Sequence, residues 1–163
     1  MKKLALSVLA IAGFAMSTQA QVRPHALGLR ISEGTSSGIE ASYQHGLNSK
    51  NRLEFDGGAF SDNIYDRVSL VGMYHWVWNL KGGLNWYIGP GAGLSLNRNP
   101  ADKTTFRLAL GGQIGLEYDL NKQKIPLLVS VDARPLYDLL GEKSFGWGAA
   151  LGVRYTWGKS AKK

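Results

Sequence analysis

The chain has 163 residues, a formal net charge of +7, no cysteine and 44% hydrophobic residues. That length suits one domain, and the missing cysteines exclude disulfides and thiolate metal ligands. A basic excess can signal nucleic acid, but here the lysines scatter over turns and the tail (Lys50, Lys81, Lys122, Lys124, Lys159, Lys162, Lys163), so solvated turns touching anionic lipid headgroups are expected and nucleic acid is not.

Lys2 and Lys3 precede an almost unbroken apolar run from Leu4 to Met16, and Thr18-Gln19-Ala20 supplies small residues at a signal-peptidase site. Residues 1–20 therefore read as a secretory signal peptide, too short for a membrane-spanning helix. No cysteine follows the run, so no lipid anchor is expected. After it, no apolar run is long enough for a transmembrane helix, and any membrane crossing must use strands.

Eight candidate strands follow, each bounded by Gly, Asn, Asp, Ser or Pro. His25 to Glu33 carries Leu27, Leu29 and Ile31 on one face, and Gly38 to His45 carries Ile39, Ala41 and Tyr43. Arg52 to Phe60 carries Leu53 and Phe55. Arg67 to Val77 carries Val68, Leu70, Tyr74 and Trp76. Leu84 to Leu96 sets Trp86, Ile88, Ala92 and Leu94 against Gly89, Gly91 and Gly93, with Pro90 inside it as the mark of a bulge.

The sixth strand, Phe106 to Asp119, decides the class. Its odd positions run Phe106, Leu108, Leu110, Gly112, Ile114, Leu116, Tyr118, and its even positions Arg107, Ala109, Gly111, Gln113, Gly115, Glu117, Asp119. A period of two is a strand with one apolar and one polar or small face. A helix would place Leu108 and Leu110 roughly 200° apart. The run exceeds the typical strand of about five or six residues and matches the roughly 9–11 that a tilted strand needs to cross a bilayer. Ile125 to Leu136 and Phe145 to Trp157 repeat the pattern.

An even strand count closes an all-β, eight-stranded, antiparallel up-and-down transmembrane β-barrel over residues 21–157, with both termini periplasmic and residues 158–163 a short basic tail. On this topology Tyr43, Trp76, Trp86, Tyr118, Tyr155 and Trp157 fall at the periplasmic end, and Phe106, Phe145 and Trp147 at the outer end. Such girdles suit membrane interfaces. A soluble lipocalin-like barrel, with its large apolar residues inside, stays open as an alternative, because a period of two does not say which face is wet.

With the apolar face toward lipid, the other face places Arg30, Arg67, Arg107, Arg134 and Arg154 inside together with Glu40, Glu54, Asp56, Glu117 and Asp132. Eight strands enclose little more than side chains, so these charges are expected to pair into a structural plug, with inward glycines making room for the arginines. The alternative is a charged channel or binding site.

The stretch Leu84-Asn85-Trp86-Tyr87-Ile88-Gly89-Pro90-Gly91-Ala92-Gly93, with Gly115-Leu116-Glu117-Tyr118, Ile125-Pro126-Leu127 and Val131-Asp132-Ala133-Arg134-Pro135, resembles small outer-membrane β-barrel proteins of the Bacteroidetes type. The resemblance implies an architecture similar to OmpX and the OmpA membrane domain, and it carries no chemistry. Val153-Arg154-Tyr155-Thr156-Trp157 resembles the C-terminal signal read by the barrel-assembly machinery, although here Gly158 to Lys163 follow it.

No motif for catalysis emerges. A lipid A deacylase of this shape needs a serine two residues from a histidine on one strand. His25, His45 and His75 have no such neighbour, and His45 and His75 are expected at the wet periplasmic rim. A palmitoyltransferase would need an apolar interior. Gly89 to Gly93 opens no helix and is not a phosphate loop. The expected outer loops, Gly34 to Ser37, Ser61 to Asp66, Asn97 to Thr105 and Tyr137 to Ser144, are short for an adhesin or receptor.

The expectation is a monomeric outer-membrane protein of a Gram-negative envelope, without cofactor, metal or catalytic activity. Its partners would be outer-membrane lipid and lipopolysaccharide, with the assembly machinery during insertion. Its role would be structural or surface-interacting; a narrow porin-like channel or a carrier for small molecules is the alternative.

Overall fold

A computed structural model describes residues 22–34, 38–61, 66–98, 104–140 and 144–158. The expected signal peptide, the tail beyond residue 158 and the middles of the four expected outer loops lie outside them. Eight strands follow in chain order: β1 (His25–Gly34), β2 (Gly38–Gly46), β3 (Asn51–Ser61), β4 (Asp66–Lys81), β5 (Leu84–Arg98), β6 (Thr104–Asp119), β7 (Leu127–Asp138) and β8 (Phe145–Trp157). Each pairs antiparallel with the next, and β8 closes on β1 from His25↔Trp157 to Gly34↔Gly148. The start of β1 and the end of β8 therefore lie at one end of the barrel, called the terminal end below. No helix of the described residues is long and apolar enough to cross a membrane.

The alternation of the sequence becomes two faces. Leu29 is 60% exposed and its neighbour Arg30 only 2%. On β6, Leu110, Ile114, Leu116 and Tyr118 point outwards, while Ala109, Gln113, Glu117 and Asp119 point in. Large apolar side chains thus face outwards all round, which is the reverse of a soluble ligand-binding barrel and the pattern of a lipid-facing one. At the end bearing the termini, His25 stacks on Trp157 with ring centroids 5.3 Å apart, and Trp78 stacks on Trp86 at 4.5 Å.

Three local details differ from the sequence reading. First, β4 continues past Val77 to Lys81, because Val77 and Asn79 keep pointing inwards while Trp76 remains outside. Second, β7 starts at Leu127 and not at Ile125. A 3₁₀ turn, Leu120–Gln123, intervenes, capped by the Asp119 side chain accepting from Asn121 N at 2.9 Å, and Lys124 then takes a left-handed φ of 66°. Pro126, which has no N–H for a ladder, contributes only its carbonyl, accepting from Thr156 N at 2.9 Å.

Third, Pro90 causes no bulge. The register holds from Met73↔Gly91 to Trp76↔Ile88 and shifts instead between Asn79 and Lys81. Next to the proline the two backbones approach so closely that a Cβ on Gly89 would sit 1.7 Å from the Tyr74 carbonyl oxygen, so only glycine fits there.

Candidate functional site

The barrel interior holds the chemistry. Every inward position of a strand looks into a lumen one or two side chains wide, so residues far apart in sequence meet across it. Arg30 of β1 donates through Nη1 to Glu40 Oε2 of β2 at 2.5 Å and through Nη2 to Asp132 of β7. Tyr87 of β5 adds its hydroxyl to Asp132 Oδ2 at 3.2 Å. Arg134 of β7 donates to Asp56 of β3, and its guanidinium lies 3.6 Å from Glu40 and 3.7 Å from Glu54.

Arg154 of β8 faces Glu54 at 3.3 Å and donates to the hydroxyls of Ser42 and Ser130, both at 2.8 Å. Glu54 also accepts from Gln44 and, at 3.1 Å, from Gln113. Nearer the termini, Arg52 Nη1 donates to Glu117 Oε2 at 2.5 Å, and Asn85 donates to Glu117 Oε1 at 3.2 Å. Its guanidinium carbon lies 4.6 Å from the centre of the Tyr87 ring, a cation–π contact. Below that, Arg23 and Asp119 pair at 3.0 Å at the mouth.

Glycines make the room that the large interior groups occupy. A Cβ on Gly115 would fall 2.5 Å from the Tyr87 ring, and one on Gly152 would fall 2.6 Å from Arg154 Nη1. Four guanidiniums (Arg30, Arg52, Arg134, Arg154) thus interlock with five carboxylates (Glu40, Glu54, Asp56, Glu117, Asp132), all buried. Buried charges are tolerated only when paired and hydrogen-bonded, and here each is held by at least one partner.

Of the ten interior charges expected from the sequence, eight meet in this network. Arg67 and Arg107 do not. They lie half-buried at the end opposite the termini, Arg67 donating to Asn97 Oδ1 at 2.9 Å and Arg107 to Asp138. Both sit one or more inward positions beyond the reach of the central carboxylates.

The sequence reading missed Arg52, which shares its parity with Glu54 and Asp56 but stood at the first position of the expected strand. It also put His75 at a wet rim. His75 is fully buried in the lumen, where its Nδ1 accepts from Arg52 Nε at 3.3 Å and its ring packs 4.7 Å from Tyr87. The longer β4 places it six residues from the strand end. His25, by contrast, lies at the terminal rim, with Nδ1 2.9 Å from the Tyr43 hydroxyl. The buried hydroxyls of Ser42 and Ser130 accept from Arg154 and serve as ligands to its charge. No group of three or more metal-binding side chains occurs among the described residues.

A closed antiparallel barrel of eight strands, apolar outside and salt-bridged inside, defines a small transmembrane β-barrel of the outer-membrane kind. Solved structures of that kind are similar in fold. The N-terminal β-barrel domain of Pseudomonas aeruginosa OprF superposes with a TM-score of 0.61 at 20% identity, covering 82% of this chain and 96% of that one. Neisserial surface protein A matches with a TM-score of 0.57 at 13% identity, covering 82% and 94%. A de novo designed transmembrane β-barrel matches at 0.51 and 13%, covering 86% and 100%. No family model and no curated protein matches the chain.

Proposed function

We propose that the protein is a non-catalytic, integral outer-membrane barrel whose lumen is shut by its own ion pairs and whose role lies in the envelope structure or at the cell surface. One observation carries the reading: the interlocked guanidiniums and carboxylates reach across the lumen, from β3 to β7 and β8 and from β1 to β7, at a barrel size where side chains fill the bore. A conducting pore would need those pairs to part in a low-dielectric interior, where each uncompensated charge costs several kcal/mol.

The secretory leader, the outward apolar band with aromatic residues at its ends and the likeness in fold to outer-membrane barrels support the location. The motifs around Gly89 and Asp132 support an origin among Bacteroidetes-type barrels, and the segment ending at Trp157 supports delivery by the barrel-assembly machinery.

Planar-bilayer recording tests the closed lumen. The purified barrel should show no stable open state. A steady conductance that scales with salt and reproduces between preparations would replace this reading with a narrow channel. Fractionation of cells should recover the mature chain in the outer membrane, and recovery as a freely soluble periplasmic protein would overturn the location.

A further inference from the structure

The terminal end of the lumen is closed by a piece of chain that belongs to no strand. Val22, Arg23 and Pro24 precede β1. The Val22 side chain is buried against Val77 of β4 and Tyr87 of β5, both of which point inwards, and its N–H donates to the Ser49 carbonyl at 3.3 Å. Arg23 reaches across the mouth: its Nε donates to Asp119 at the end of β6 at 3.0 Å, with β7 and β8 standing between that strand and β1. The Pro24 carbonyl accepts from Gly46 N at 2.9 Å. A Cβ on residue 46 would sit 2.5 Å from the Arg23 carbonyl oxygen, so this close crossing needs the glycine. We infer that residues 22–24 are a stopper that governs the entry of water and small solutes into the lumen from the terminal end.

What the stopper covers gives the inference its chemistry. Val22, Val77 and Tyr87 form an apolar layer at the edge of a charged interior. The Tyr87 ring in that layer also carries the Arg52 guanidinium, at 4.6 Å, and the His75 ring, at 4.7 Å. Arg52 Nη2 and His75 Nε2 are buried and have no hydrogen-bond partner among the described residues. His75 Nδ1 accepts from Arg52 Nε, so its Nε2 carries the ring proton and both orphaned atoms are donors. Buried donors are normally satisfied by protein or by water. The stopper therefore stands between outside water and two groups that bind it.

Its hold is light. It consists of a single apolar side chain, backbone hydrogen bonds at Val22 and Pro24, and an ion pair in which the Arg23 side chain is 21% exposed. Ion pairs open to solvent contribute little. The strand that follows is tied on both sides, to β8 from His25↔Trp157 to Gly34↔Gly148 and to β2 from His25↔His45 to Ser32↔Gly38. Segments with few buried contacts open at a fraction of the global free energy, so the stopper lifts while the barrel holds.

The chain contains no cysteine, and one introduced thiol reports access. Val77→Cys puts it beneath Val22; Val71→Cys puts it on the same strand toward the opposite end. The mature barrel, refolded in zwitterionic detergent, is treated with a charged, water-soluble methanethiosulfonate, which reacts with the thiolate. Val77→Cys should react slowly in the full mature chain and roughly tenfold or more faster in a chain shortened to begin at Pro24. Val22→Ser keeps the length and removes only the apolar contact; it should accelerate the reaction too, and it carries the test by itself where the shortened chain does not refold. Val71→Cys should keep its rate throughout, which separates a lifted stopper from a loosened barrel.

An unchanged Val77→Cys rate in these variants, or equal acceleration at both thiols, overturns the inference. The stopper rests on the closed-lumen reading, and the two fail separately. The shortened chain should still pass no current, because the ion pairs beyond Tyr87 stay in place. A steady current through the full mature chain would overturn the closed lumen, and the thiol rates would still judge the stopper.

Discussion

Arg154→Met should be far more damaging than Glu40→Gln, although both remove one charge from the same buried network. Arg154 is fully buried and faces Glu54 at 3.3 Å. At an effective dielectric of about 20 that pair is worth about 5 kcal/mol of Coulomb energy, most of it offset by the cost of having buried both ions. Deleting the guanidinium forfeits the attraction and leaves the carboxylate in place. Five acids then face three bases, and a buried charge that has lost its partner costs roughly 3–5 kcal/mol. Ser42 and Ser130 lose their donor as well, adding about 1 kcal/mol each.

Glu40→Gln works the other way. The amide oxygen can keep accepting from Arg30 Nη1, and the network falls to four acids against four bases. Its cost should stay under about 1.5 kcal/mol, the size of one ordinary hydrogen bond. Urea titration of protein refolded into liposomes, followed by tryptophan fluorescence in both directions, measures the difference through the midpoint at constant slope. Equal losses for the two variants, or native-like stability of Arg154→Met, would refute the charge balance drawn from the structure.

Three further outcomes are expected. Leu110→Arg puts a charge on the outward face of β6 and should cost roughly 2–4 kcal/mol in the same assay, whereas Ala109→Ser, beside it but on the inward face, should be nearly silent. Gly115→Leu should drive its side chain into Tyr87 and Asp132, destabilising the barrel and altering its near-ultraviolet circular dichroism; an unchanged spectrum would contradict the packing of Tyr87. The unboiled protein should migrate anomalously on a denaturing gel and normally after heating, and identical mobility would speak against a closed, resistant barrel.

The strands were legible where their two faces differ. β6 and β8 alternate apolar with polar or small residues, so lipid and lumen were written into the sequence as a period of two. β4 obscures that contrast. Val71, Met73 and Val77 point into the lumen and Leu70, Tyr74 and Trp76 point away from it, so both faces are apolar and the strand end, with the depth of His75, could not be read. Pairing was hidden for another reason. Arg30 and Asp132 stand 102 positions apart, and only closure of β8 onto β1 brings their strands near each other.

The network has a consequence for how the barrel can be made. Arg30–Asp132, Arg52–Glu117, Arg134–Asp56 and Arg154–Glu54 each join one of the first three strands to one of the last three, whereas Arg30–Glu40 joins two strands consecutive in the chain. A half-formed barrel in the bilayer would therefore hold Glu40, Glu54 and Asp56 against only Arg30 and Arg52, together with two unpaired strand edges that hydrocarbon does not tolerate. Such a half-barrel has nowhere to rest, so β7 and β8 must arrive together with the rest of the sheet, and insertion of this chain is expected to be all-or-none.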